Sequence, residues 1–504
     1  MSQQILPATR QDGGPAVAGT PRTLRRIDDL PGPRALPVFG NMLQIQPQRM
    51  HRQLEDWCAA YGPYFKVKLG KRPLLVVGEH QVAAAALRDR PEGFSRTSRL
   101  EAIAKEMGLK PGLFGANGDD WRRQRRMVMA SFDPAHVKAY FPSLLKVADR
   151  LGGRWATAAR EGRSIDLQAD LMRYTVDTIA GLAFGAEVNT LESDGDVIQQ
   201  HLDKIFPALL RRVLAPFPTW RVFPTASDRA LKRGVIAVNE AVDRFVAEAR
   251  QRMQAEPDRR AHPRNLLEAM IAAADQPDSG ISDVQVAGNV MTMLLAGEDT
   301  TANTIAWMID LLWRHPAALA RATEEVRRLL PEGPEGQLPD FAQVADLDFI
   351  EACAQETMRL KPVAPLLFLQ AAHDTVIGDV EVPAGTVIAT LMRRDSVSES
   401  HVTDAARFMP ERWLTEGDGA MSSAAKRTSM PFGAGPRICP GRYLALLEMK
   451  MAMAVLLSRF DIASVDTPDR LPARELLAFT MTPVGLRMRL HERARGGGAT
   501  LREL

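Results

Sequence analysis

Cysteine is nearly missing from this chain: Cys58, Cys353 and Cys439 are the only three among 504 residues. An odd, widely scattered set excludes a disulfide framework and lacks zinc-site spacing, so the thiols read as reduced, in a cytosol-like compartment. An excess of one charge is missing too. The formal net charge of +3 gives no overall attraction to nucleic acid or to an acidic substrate. Also lacking is an apolar run long enough to span a bilayer. The first 28 residues are rich in Gly, Pro and polar side chains, with neither a secretory core nor the amphipathic pattern of a transit peptide, and are expected to form a disordered tail. What the chain does have is 45% apolar residues, enough at this length for a core that stands without disulfides.

From about residue 30 the pattern becomes that of a folded chain. "LPGPRALPVFGN" (30–41) favours extended backbone and turns. "YFKVKLGKRPLLVVG" (64–78) reads as two strands about a Lys-Arg turn. Between about 120 and 360 the periodicity is mostly helical, and strand character returns in 366–392 and 475–490. No repeat or composition break interrupts 29–492. The expected fold class is therefore mainly α (α+β), one large helical domain with small sheets, followed by a flexible tail at 493–504.

Two local oddities carry the chemistry. The segment "ISDVQVAGNVMTMLLAGEDTTANTIAWMIDLLWRHP" (281–316) opens with Ser282 and Gln285 at capping-box spacing and closes with Arg314 and His315 before Pro316. It predicts a helix of ~45 Å, apolar nearly all round as for a buried helix. Yet its middle holds "AGEDTT" (296–301), acids and hydroxyls that are costly to bury unless used.

The second oddity is "PFGAGPRICPGRY" (431–443), which sets Cys439 on a bend of glycines and prolines before a convincing helix. A helix start favours an anion, and the thiolate is the form that binds metal. Gly433, Gly435 and Gly441 allow positive φ and close approach of a flat ligand. Arg437 offers a partner for an acid group on that ligand. A thiolate so presented suits an iron porphyrin. Cys58 and Cys353, by contrast, read as core residues. "GAGPRI" lacks the third glycine, preceding strand and acid of a dinucleotide fingerprint.

The run Phe432-Gly433-Ala434-Gly435-Pro436-Arg437-Ile438-Cys439-Pro440-Gly441 resembles the haem-binding loop of the cytochrome P-450 superfamily. Further matches follow the family's order. "AGEDTT" resembles the oxygen-activating bend of its long helix. "ETMR" (356–359) with Arg412 of "PERW" (410–413) resembles its Glu-x-x-Arg triad, and "WRRQR" (121–125) resembles the helix whose Trp121 and Arg125 reach a haem propionate. The resemblance spans about 30–490.

That resemblance implies haem b with Cys439 as the metal ligand, and Phe432, Gly435, Arg437, Gly441, Trp121, Arg125 and Ala296 around it. Thr300 and Asp299 are implied as the catalytic pair that delivers protons during dioxygen activation, and Glu356, Arg359 and Arg412 as a structural trio. Val363, Ala364, Leu366 and Phe479 are the implied pocket, apolar and so suited to a hydrophobic small molecule. Many bacterial relatives carry an arginine near position 369. Here Leu369 stands there, leaving the propionates to Arg125, Arg437 and His373. Arg122, Arg123 and Arg126 serve either donor docking or a solvated face. "RRVLAPFPTWRVFPT" (211–225) reads as a pocket lid in preference to a membrane-touching loop. The implied function is a cytoplasmic, monomeric monooxygenase using O2 and an external ferredoxin or flavodoxin with its reductase. The rivals are a peroxide-using or isomerising relative, which often lacks the acid–threonine pair, and a haem-thiolate sensor, which needs a sixth protein ligand.

Overall fold

The helix predicted over 281–316 is present as Asp283–Arg314, unbroken, in the computed structural model. This describes residues 24–493 apart from 71, 133, 186–188, 193–198, 331–338 and 415–418. The Ser282 hydroxyl accepts from the Gln285 N–H while the Gln285 side chain accepts from the Ser282 N–H, closing the capping box. The helix is buried on nearly every side because other helices surround it. Helix Leu167–Phe184 packs along it so closely that a Cβ on Gly297 would lie 2.5 Å from Ile179 Cγ1. Gly297 therefore serves helix packing.

Helices Phe141–Arg160, Leu167–Phe184, Asp283–Arg314 and Arg442–Arg459 build the main core around Trp155, Tyr174 and Trp307. Each fully buried aliphatic side chain there contributes ~1.5–3 kcal/mol. Cys353 belongs to this core, and Cys58 to a smaller one under the sheet, as expected.

A five-stranded sheet flanks the helices in the order Tyr64–Leu69, Arg72–Val77, Val387–Leu391, Leu366–Ala371, Phe94–Ser95. The first two strands form the predicted hairpin, with Phe65 opposite Val76. Arg72–Val77 runs parallel to Val387–Leu391, and the other pairs are antiparallel. Leu369 is fully buried in this sheet, where it packs instead of reaching a ligand.

The predicted tails fall mainly on residues 1–23 and 494–504, outside the described residues. Order begins before residue 29, however. Arg25–Arg26 pairs with Val380–Glu381, Arg25 grips Asp379 through Nε (2.9 Å) and Nη2 (2.7 Å), and Ile27 is buried. At the other end, Arg493 is still tied by its N–H to the Arg459 carbonyl at 3.1 Å. Among the described residues no helix is long and apolar enough to cross a membrane.

Candidate functional site

Cys439 ends a bend whose shape depends on two glycines. Gly433 and Gly435 have φ of +75° and +71°, which L side chains rarely adopt. At Gly435 a Cβ would also lie 2.5 Å from the Leu87 carbonyl oxygen, so the loop could not seat against helix His80–Arg88. At Gly433 the Cβ position opens on empty space. Gly441 differs from expectation: its φ is −83°, and it serves as N-cap of helix Arg442–Arg459. Its backbone N–H reaches toward the Cys439 sulfur, and Arg125 and Arg442 lie within electrostatic range. Even so, burial outweighs these groups and raises the thiol pKa. The helix start and its cations do not make the bare thiolate favourable, and a metal cation is what would complete the site.

The second feature is unpaid positive charge. Arg437 lies over the Trp121 ring at 4.7 Å and donates from Nη2 to the Ala116 carbonyl at 2.6 Å, but its Nε is buried without a partner. Burial, then repulsion from Arg96 and Arg125, pulls its pKa down to about 9. Arg90, 3% exposed, has both Nε and Nη2 unpartnered. Burial, then Arg96 and Arg437, lowers it to about 8. Arg96 stacks over Phe114 at 4.3 Å and is pulled to about 10 by burial. Guanidiniums gathered without a carboxylate are unfavourable until an anion arrives. Arg125 and Arg437 belong to the sequence-predicted set. Arg90 and Arg96 do not, and no local pattern marks them. His373, expected to help, is exposed and turned to the Asp374 carbonyl. Orphaned guanidinium nitrogens, open space at Gly433 and the buried Cys439 thiol fit a dianionic iron porphyrin.

The central helix carries the second predicted set. Ala296 is exposed in the middle of an otherwise buried helix, so it borders an internal space. One turn on, the Thr300 hydroxyl donates to the Ala296 carbonyl at 2.8 Å, the one-turn-back bond that threonine commonly makes in helices. Asp299 accepts from Thr480 Oγ1 at 2.7 Å and from Asn303 Nδ2 at 3.2 Å. Burial raises its pKa, and those two hydrogen bonds offset the rise only in part. Asn303 sits at i+4 from Asp299, a helical neighbour legible in sequence, whereas Thr480 is not. On the far side Glu448 is fully buried, pushed up to about 8 by burial, with Thr301 bonded to it.

At the predicted pocket residue Phe479, three aromatic rings meet. Phe206 stacks on Phe479 at 4.2 Å, and Phe114 lies 5.9 Å from Phe479. Phe479 takes φ +144°, so the turn carrying it is strained. Val363, Ala364 and Leu366 are half-buried, and the Val363 carbonyl accepts from the Met481 N–H at 2.8 Å, joining the two pocket segments. In the 211–225 stretch, Trp220 and Arg221 are pinned to Glu106, while Val222 and Phe223 stay exposed. Arg122 is ion-paired with Glu92 and Asp119.

The structural trio is complete. Arg359 grips Glu356 through Nε (2.8 Å) and Nη2 (2.7 Å), and Arg412 Nε reaches Glu356 at 3.2 Å. All these side chains are 0% exposed. Remaining donors go to the carbonyls of Ser396, Ala405 and Arg407 from Arg359, and of Thr403 and Asp404 from Arg412.

Residues 30–490 match the family model described as Cytochrome P-450. Chloroplastic carotene epsilon-monooxygenase of Arabidopsis thaliana is 28% identical over 87% of this chain and 81% of its own length. Pentalenene oxygenase of Streptomyces avermitilis is 26% identical over 92% and 97% respectively. The crystal structure of the cytochrome P450DA heme domain superposes with a TM-score of 0.78 at 26% identity, covering 94% of this chain and 99% of that one.

Proposed function

The chain belongs to the cytochrome P-450 family and is a haem-thiolate monooxygenase, and on that premise we propose that it oxidises an apolar small molecule with Cys439 as the axial ligand and electrons from a separate donor protein. Haem, when bound, supplies the reductive activation of dioxygen. The observation that supports the residue assignment is the buried Cys439 thiol with Arg125 in electrostatic range, and Arg437 and Arg90 in turn within range of Arg125 or Arg96, each with buried nitrogens that lack a partner.

Arg437, Arg90, Arg96 and Arg125 would take the propionates, with Trp121 stacked behind Arg437. Gly441 N–H orients the sulfur. Asp299, with its raised pKa, exchanges protons nearer neutrality than an ordinary carboxyl group. Thr480 and Asn303 hold its carboxylate oxygens, and release from Thr480 would let it pass a proton toward Thr300 Oγ, whose hydroxyl is fixed by its bond to the Ala296 carbonyl. Phe114, Phe206 and Phe479 keep bulk water from this path and favour an apolar substrate. The names of two relatives, a carotene monooxygenase and a pentalenene oxygenase, support the same substrate class.

The test is isotopic. Apolar compounds that shift the haem spin state are turned over under 18O2 with a ferredoxin and its reductase. Mass spectrometry should show one labelled oxygen per product molecule. Label arriving only from H218O, or turnover with peroxide alone, contradicts the reading.

A further inference from the structure

At the opposite end of helix His80–Arg88 from the Gly435 contact lies a second set of donor atoms. His80 is the first residue of that helix, Asp395 follows the sheet strand Val387–Leu391, and His401 comes a turn later. His80 Nδ1 is 2.8 Å from Asp395 Oδ2, and His401 Nε2 is 3.8 Å from the same oxygen. All three donor atoms lie within 4.8 Å of one another, the one such group among the described residues. We propose that His80, Asp395 and His401 form a binding site for a divalent transition-metal ion, with zinc as the best match, clipping the start of helix His80–Arg88 to the Arg393–His401 loop.

The donor chemistry fits. Two imidazole nitrogens and one carboxylate oxygen are a common zinc set, with bonds of ~2.0–2.2 Å and a fourth position for water. Ligand atoms around such an ion stand ~3.4 Å apart, and the observed 2.8 and 3.8 Å bracket that spacing. Asp395 Oδ2 is already aimed inward by the His80 backbone N–H at 2.8 Å. The imidazole of His401 is oriented as well. Its Nδ1 lies 2.9 Å from Ser400 Oγ, itself 2.8 Å from Ser398 Oγ. With Nδ1–H donated to Ser400, Nε2 turns its lone pair toward Asp395. Half-exposed His401 leaves a way in for the ion, whereas His80 and Asp395 are buried.

Binding replaces one hydrogen bond. The proton that neutral His80 shares from Nδ1 with Asp395 moves to Nε2, freeing the Nδ1 lone pair. The ion loses bound waters, and no net proton is released. One group opposes the ion. Arg394 pairs with the other carboxylate oxygen, Oδ1, and its charge weakens affinity. Three ligands beside a cation imply roughly micromolar binding, not the tighter grip of four-ligand structural zinc.

The consequence reaches the structural trio, because the same loop presents the Ser396 carbonyl to Arg359. Occupancy would stiffen the segment on which that stack closes.

The experiment uses the full-length haem-loaded protein, stripped with a chelator, then dialysed against graded ZnCl2 with elemental analysis and thermal melting. Wild type should take up one zinc more than either His401→Ala or His80→Gln. Each variant should weaken that uptake about tenfold or more and abolish the zinc-dependent rise in melting temperature, with the carbon-monoxide spectrum unchanged. Equal uptake in all three proteins, or loss in only one variant, would overturn the site.

Discussion

Glu448 is fully buried in the helix behind the thiol, and its pKa stands at about 8 against an ordinary 4.5. The native state thus holds a proton that the unfolded chain releases. This group's stabilisation is complete below about pH 4.5, declines above it, and is lost once pH passes 8. Glu448→Gln should remove up to about 5 kcal/mol of that pH dependence, read from denaturant unfolding at pH 5 and pH 8. Parallel dependences in wild type and variant would contradict it. Asp299 is read through turnover: Asp299→Asn should slow it about 100-fold while spin-state shifts on substrate binding persist. Loss of those shifts as well would make the residue structural. Arg90 poses the opposite problem, a buried cation with two unpartnered nitrogens. Arg90→Leu should stabilise the haem-free chain by about 1–4 kcal/mol yet speed haem loss to apomyoglobin, and an unchanged haem-loss rate would remove Arg90 from the propionate set. Cys439, Arg437 and Thr300 were legible because their neighbours in sequence are chemically odd. Arg90 was not, since an arginine near a turn looks solvated until the fold buries it.

Among the elements, helix Asp348–Leu360 and the 393–413 loop act as one unit, because Arg359 and Arg412 direct their donors to Glu356, to loop carbonyls and, from Arg412 Nη2, to the Met409 sulfur. The i,i+3 spacing of Glu356 and Arg359 on one helix face was visible in sequence. That the pair is sealed from water was not, and the same spacing on an exposed helix contributes well under 1 kcal/mol. Burial changes the scale: Glu356→Ala leaves Arg359 and Arg412 without their carboxylate and should cost ~3–5 kcal/mol, seen as lower haem-loaded yield and an earlier urea midpoint. Arg359→Lys should fare nearly as badly, because an ammonium cannot reach Glu356 and three carbonyls at once. A lysine variant with wild-type stability would contradict this account. The glycines divide along the same line. Positive φ at 433 and 435 followed from the loop motif, whereas the role of Gly297 in packing on Ile179 required the neighbouring helix.

At the scale of the whole molecule, the order of motifs from Trp121 to Cys439 was readable because one flat ligand must be met by several helices and a loop at fixed places. The aromatic cluster was readable only at Phe479. Phe114, Phe206 and Phe479 come from distant stretches, and their stacking depends on how the helices lie over the strained turn at Phe479. The central claim concerns the thiol of Cys439. Its most direct test is the absorption spectrum of the dithionite-reduced protein under carbon monoxide, beside a Cys439→His variant. The account predicts a strongly red-shifted Soret band in the wild type that moves to the imidazole-ligated position or vanishes in the variant. A wild-type band at the ordinary imidazole position, or one unchanged by the substitution, would contradict it.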